Sequence, residues 1–214
     1  MAKEGFDAGR SYGVMGGTFN PIHYGHLVTA QEALYQFGLD KVIFMPSGQP
    51  PHKKDKEILP PEERYLMTVI ATASNPDFVV SRFEIEKTGP SYTIDTIRAL
   101  KVQYGPETKL YFITGADAVW EILTWKDAEK LAELCTFIAA TRPGYSLEKF
   151  KKLHVLPEDQ PLPKGKPRVY IMEIPALAIS STDIRRRVRE GHPINYLVPE
   201  GVASYIRKSR FWID

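Results

Sequence analysis

Two histidines three residues apart, His23 and His26, close the segment Gly16-Gly17-Thr18-Phe19-Asn20-Pro21-Ile22-His23-Tyr24-Gly25-His26. Imidazole near neutral pH donates hydrogen bonds and can carry charge, and both properties suit a phosphate oxygen. The segment joins an apolar run to an amphipathic one, so it reads as the passage from a strand into a helix. The glycine pair lets the backbone turn sharply and approach a ligand closely. The first amides of a helix have no partners within it, and the helix dipole favours an anion there. The pattern is neither Gly-x-Gly-x-x-Gly nor a phosphate loop ending in Gly-Lys-Ser/Thr. Gly25 leaves room for a flat base or a ribose against the helix. A metal pair is one competing reading, although no third ligand stands at helical spacing. A capped turn with two satisfied histidines is the plainer one.

A second segment, Ile179-Ser180-Ser181-Thr182-Asp183-Ile184-Arg185-Arg186-Arg187, sets three hydroxyls before a helix. Ser180 or Ser181 can cap it, and Asp183 supports its positive end. Arginines one turn in can make charge-assisted bonds to phosphate. The plainer reading is a well-capped surface helix with a solvated basic face.

Other residues could line a pocket between these segments. His52 and Lys53 lie in Pro50-Pro51-His52-Lys53-Lys54-Asp55-Lys56, a basic loop that could clamp a phosphate or simply be solvated. Ser91-Tyr92-Thr93 leads into a helix whose free amides, with the Thr93 hydroxyl, could hold a carboxylate. Trp125 lies between two helical patterns and offers a face for an aromatic ring, or packs into the core. Gly115-Ala116-Asp117 and Arg142 each follow an apolar run, where an α/β sheet presents ligand contacts.

The elements that would hold these residues alternate. Strands are predicted at Tyr12–Met15, Lys41–Met45, Phe78–Ser81, Lys109–Thr114, Cys135–Ala140 and Arg168–Glu173. Helices are predicted at His26–Phe37, Pro61–Ser74, Thr93–Tyr104, Asp127–Leu134, Thr182–Glu190 and Pro199–Lys208. In the first, Leu27, Ala30, Leu34 and Phe37 share a face, and Gly38 follows as a stop. Such alternation means an α/β fold, a Rossmann-like doubly wound and mainly parallel sheet with helices on both faces. Two Pro-rich segments, Pro46–Pro61 and Leu156–Pro167, interrupt it; loops this long are usually functional or mobile. Residues 1–10 read as a mobile extension and 11–214 as one domain, with 176–214 as a C-terminal helical part.

Composition narrows the classes further. Of 214 residues 43% are hydrophobic and 25% charged, which excludes a disordered chain. The single cysteine, Cys135, excludes an internal disulfide framework. The polar N-terminus lacks the apolar core of a signal peptide, and no apolar run approaches the roughly 20 residues that span a bilayer. The net charge is +2, and from Ser180 onward seven Lys or Arg face four acids. That excess is modest for a nucleic-acid surface, which usually shows a long basic stripe or aromatic platforms.

From Tyr12 to Trp212 the chain resembles the nucleotidyltransferase superfamily with its His-x-Gly-His signature, and within it the bacterial nicotinate mononucleotide adenylyltransferases. The resemblance implies adenylyl transfer from ATP to nicotinate mononucleotide, a step of NAD biosynthesis, in the cytoplasm. It implies catalytic roles for His23, His26, Lys53 and Arg185. It implies ATP contacts at Gly16, Gly17, Thr18, Phe19, His23, His26, His52, Lys53, Gly115, Asp117, Ser180, Ser181, Thr182 and Arg185. Ser91, Tyr92, Thr93, Trp125 and Arg142 would meet the mononucleotide. Mg²⁺ would arrive with ATP, without a metal site of the protein's own. No nucleic acid and no membrane are expected as partners, and a homo-oligomer is left open. The family usually has Asp at the position of Asn20, which keeps the shape and loses the charge. The alternatives are transfer to nicotinamide mononucleotide or phosphopantetheine, or a nucleotide sensor without catalysis.

Overall fold

A computed structural model describes residues 9–49, 57–116, 122, 125–141, 168–175 and 177–213. Six strands, β1 (Ser11–Gly17), β2 (Lys41–Pro46), β3 (Phe78–Val80), β4 (Lys109–Gly115), β5 (Thr136–Thr141) and β6 (Val169–Glu173), form one sheet. Its order is β3-β2-β1-β4-β5-β6 and every pairing is parallel. This is the doubly wound arrangement, in which strand order reverses between β1 and β4.

Side chains alternate across each strand, and the two faces form two cores. Tyr12, Val14, Ile43, Met45, Phe112 and Phe137 face one side. There they meet Ile94, Ile97 and Leu100 of α4 (Thr93–Tyr104) and Leu131 of α5 (Ala128–Leu134). Met15, Val42, Phe44, Ile113 and Ile138 face the other side. They pack against α1 (Tyr24–Gln36), α2 (Pro61–Thr72), α6 (Ser181–Arg189) and α7 (Glu200–Ser209). Ile184, Val202, Ala203 and Ile206 thus share a core with Ala30 and Met67, so the last two helices build on the sheet domain. Among the described residues no helix is long and apolar enough to cross a membrane.

The sequence expectations meet three corrections. β1 runs on through Gly16 and Gly17, which still pair with Met45 and Pro46. The glycines therefore finish the strand, and the turn begins at Thr18. Their missing side chains make room for rings: a Cβ at Gly17 would lie 2.8 Å from the Phe19 ring, and one at Gly16 would lie 3.2 Å from Phe112. The first helix starts at Tyr24 with His23 as its N-cap, so both histidines sit at its opening turn. A short α3 (Phe83–Glu86) was not expected, since four residues show no helical period. The expected crossing at Leu156–Pro167 lies outside the described residues, as do residues 1–8 of the expected extension.

Candidate active site

Two clefts open at the carboxyl ends of the strands, where the order reverses. The larger, of about 460 Å³, is lined by His23, Gly25, His26 and Thr29 of α1 and its start, and by Thr114 and Gly115 of β4 with Ala116 just after it. The smaller, of about 220 Å³, is lined by Thr18, Ser47, Glu84, Ser91, Thr93 and Trp125, among others. Gly16 and Thr114 line both, so the two clefts meet over the ends of β1 and β4.

The histidine pair is built by the helix opening. The rings stack with centroids 3.7 Å apart. The His23 amide donates to His26 Nδ1 at 3.2 Å. With that nitrogen accepting, the proton of the neutral His26 ring sits on Nε2. Phe19 packs edge-on against the same ring, at 5.1 Å between centroids. His23 is buried, and burial pushes its pKa down to about 4. Its Nδ1 has no hydrogen-bond partner, an orphaned polar atom in a residue that lines the larger cleft. A Cβ at Gly25 would lie 2.9 Å from the His23 ring, so this glycine makes room for the imidazole itself.

The second segment folds onto the first. Ser180 caps α6 by accepting from the Asp183 amide at 3.2 Å. Ser181 donates its hydroxyl to the Pro21 carbonyl at 2.9 Å, and Arg185 donates to the Asn20 carbonyl at 3.0 Å. Arg185 also meets Glu57 Oε2 at 3.2 Å, while Arg189 meets Oε1 at 2.7 Å. Thr182 is exposed. Arg186 and Arg187 both pair with Asp183, holding its carboxyl below the usual carboxylate range.

In the smaller cleft Trp125 stands edge-on to Phe112, at 5.6 Å between centroids. Ser91 Oγ accepts from the Gly48 amide at 3.3 Å. Thr93 is the first residue of α4 and stands beside it. Tyr92 packs against the core instead, under the Lys126 ammonium at 4.6 Å. Glu84 is buried, and its Oε1 accepts from the Thr96 hydroxyl at 2.6 Å. Burial raises its pKa. His52, Lys53, Asp117 and Arg142 lie outside the described residues.

The cytidylyltransferase-like family profile matches residues 14–187. A curated relative from Moorella thermoacetica, named "Probable nicotinate-nucleotide adenylyltransferase", is 59% identical over 197 residues, covering 91% of this chain and 88% of its own. One of the same name from Nocardioides sp. is 55% identical, covering 91% and 90%. This chain belongs to the cytidylyltransferase-like family, among its nicotinate-nucleotide adenylyltransferases. A solved structure of Plasmodium falciparum nicotinic acid mononucleotide adenylyltransferase complexed with APC superposes with a TM-score of 0.73, at 19% identity, over 95% of this chain and 97% of that one. The same enzyme complexed with NaAD gives 0.71 at 21% identity, over the same shares. At that identity the likeness establishes the fold.

In this adenylyltransferase-family chain two site-building residues, Glu57 and Arg64, escaped the sequence reading, and Asn20 was weighed there only for its missing charge. Asn20 donates to the Glu57 carbonyl at 3.1 Å and accepts from the Leu59 amide at 3.1 Å. An aspartate could accept but not donate, so the amide suits this position better than the family's usual acid. Glu57 ties α6 to that loop, and Trp212 Nε1 donates to the same Glu57 carbonyl at 3.1 Å. Arg64 of α2 is wholly buried. Its signal was in the sequence: Arg64 falls on the helical face of Met67, Thr68 and Ala71, where an arginine is out of place unless it is satisfied inside.

Proposed function

We propose that this chain transfers the adenylyl group of ATP to nicotinate mononucleotide, giving nicotinate adenine dinucleotide and pyrophosphate. The observation that carries the reading is the meeting of two unlike clefts at Gly16 and Thr114, one walled by imidazoles and a helix start, the other by an indole and hydroxyls. A dinucleotide product has two such halves joined by phosphates. The names of the curated relatives agree with it.

The attacking group is the mononucleotide phosphate, a monoester whose second pKa is about 6, so it is already mostly ionised at pH 7. One of its oxygens bonds to the α-phosphorus of ATP while the bond from that phosphorus to the pyrophosphate oxygen breaks. No general base is required. The task is to bring anions together and to stabilise charge on the α-phosphate and leaving group. The opening amides of α1, the His26 Nε2 proton, His23, Lys53 and Arg185 would do this. The donors around the larger cleft are imidazole, amide and hydroxyl, which suit phosphate oxygens. Mg²⁺ would therefore be held mainly by the phosphates and water, screening their charge. A cytoplasmic location goes with this reading.

The test is pyrophosphate release by purified protein with ATP and Mg²⁺, comparing nicotinate mononucleotide, nicotinamide mononucleotide and phosphopantetheine. Release with the first above the other two is expected. Release with none of them would overturn the enzyme reading in favour of a sensor.

A further inference from the structure

Arg64 makes hydrogen bonds to four carbonyls on three segments. Nε donates to Leu59 at 3.0 Å, one terminal nitrogen to Thr18 at 2.8 Å, and the other to Ser47 at 2.6 Å and Gly48 at 3.1 Å. None of these acceptors is a carboxylate. Thr18 follows β1, Ser47 and Gly48 follow β2, and Leu59 precedes α2. We propose that Arg64 is a positioning residue that builds the wall of the smaller cleft, and so governs how the mononucleotide is held.

The reason is the planarity of the peptide unit. A carbonyl turned onto the guanidinium sends the next amide the opposite way. Ser47 turned inward points the Gly48 amide away, and that amide meets Ser91 Oγ. Thr18 turned inward points the Phe19 amide away, at a residue held at a positive φ of 48°. Thr18, Ser47 and Ser91 all line the smaller cleft, and none of them lines the larger one. Burial pushes the Arg64 pKa down to about 10, opposed by the charge of Glu84, so the side chain keeps its charge at neutral pH. Only a rigid fork of five donors can reach these carbonyls at once; a lysine offers one compact head.

The expected kinetic effect rests on the proposed function, with the mononucleotide in the smaller cleft beside Ser91, Thr93 and Trp125. Arg64→Lys should raise KM for nicotinate mononucleotide about tenfold or more and leave KM for ATP within about threefold, at a temperature well below its own Tm; a tenfold change corresponds to the loss of one good contact. Arg64→Gln, which keeps two donors and no charge, should show the same split. A fall in Tm with both KM values unchanged, or shifted equally, would overturn the proposal and leave Arg64 a packing residue. Should neither variant fold, amide hydrogen exchange on the wild-type protein decides. The Ser47 and Gly48 amides should exchange as slowly as those of β1 and β2 without any nucleotide, because the wall is prebuilt. Fast exchange that slows only when mononucleotide is added would overturn it. A wild-type protein that makes no dinucleotide would sink the function and leave the exchange result standing.

Discussion

His23 is the residue whose environment most changes its chemistry. Its folded pKa is about 4 against an ordinary 6.5, because burial disfavours the imidazolium. Between those values the unfolded chain binds more protons than the folded one. Its contribution is therefore complete above pH 6.5 and is lost as pH falls toward 4, by up to about 3 kcal/mol. Replacing it with asparagine should flatten that part of the stability profile, measured by denaturant unfolding at several pH values. An unchanged profile would mean that His23 titrates normally. His26 acts differently, since its Nδ1 accepts from the His23 amide and the proton of its neutral ring therefore sits on Nε2. His26→Ala should lower kcat by about 10²–10³ with the fold intact, the usual loss for one preorganised donor. Near-normal turnover would remove it from the mechanism. Trp125→Ala should chiefly raise KM for the mononucleotide; an equal rise for ATP would argue against a ring platform.

Elements set these residues in place through close approaches that only glycine allows. Gly25 in the first turn of α1 lies under the His23 ring, a side chain that can shift. Gly48 after β2 lies under the Glu84 carbonyl of α3, where a Cβ would stand only 2.1 Å from a backbone oxygen. The two should therefore fail differently. Gly25→Ala should cost activity through the displaced imidazole and change Tm little. Gly48→Ala should lower stability toward the upper end of the overpacking range of about 1–3 kcal/mol. Thermal melts of both variants, beside their turnover, check this; equal Tm losses would contradict it. The glycine pair at the end of β1 shows the same logic, since it serves ring packing where a turn was expected. A single strand's sequence does not say which ring will lie across it.

At the scale of the whole molecule the basic tail is less available than its charge count suggests. Arg186 and Arg187 pair with Asp183, Arg186 also with Glu190, and Arg185 and Arg189 with Glu57. The chain's far end also reaches the site, through the bond from Trp212 to the Glu57 carbonyl. Trp212→Phe keeps an aromatic ring, though a smaller one, and deletes that donor. It should cost about 1 kcal/mol of stability and weaken ATP binding, because Glu57 also holds Arg185. Titration calorimetry with ATP and a thermal melt would measure both, and an unaltered ATP affinity would uncouple the tail from the site.

Amino-acid order alone is enough for the six strands, the main helices, the parallel sheet and the two helix-start segments proposed to meet phosphate. These follow from local patterns: apolar runs, helical period, caps and glycines each act within a few residues. Gly16 to His26 and Ile179 to Arg187 were legible for the same reason, as helix starts with polar side chains. What those segments do to one another emerges only on folding. Ser181 and Arg185 bind carbonyls about 160 residues away, at Pro21 and Asn20. Arg64 gathers loops from two strands, and His23 loses its ordinary basicity to burial. Such effects depend on which distant backbone groups and which solvent exclusion a side chain meets once the chain is folded, and no local pattern encodes them.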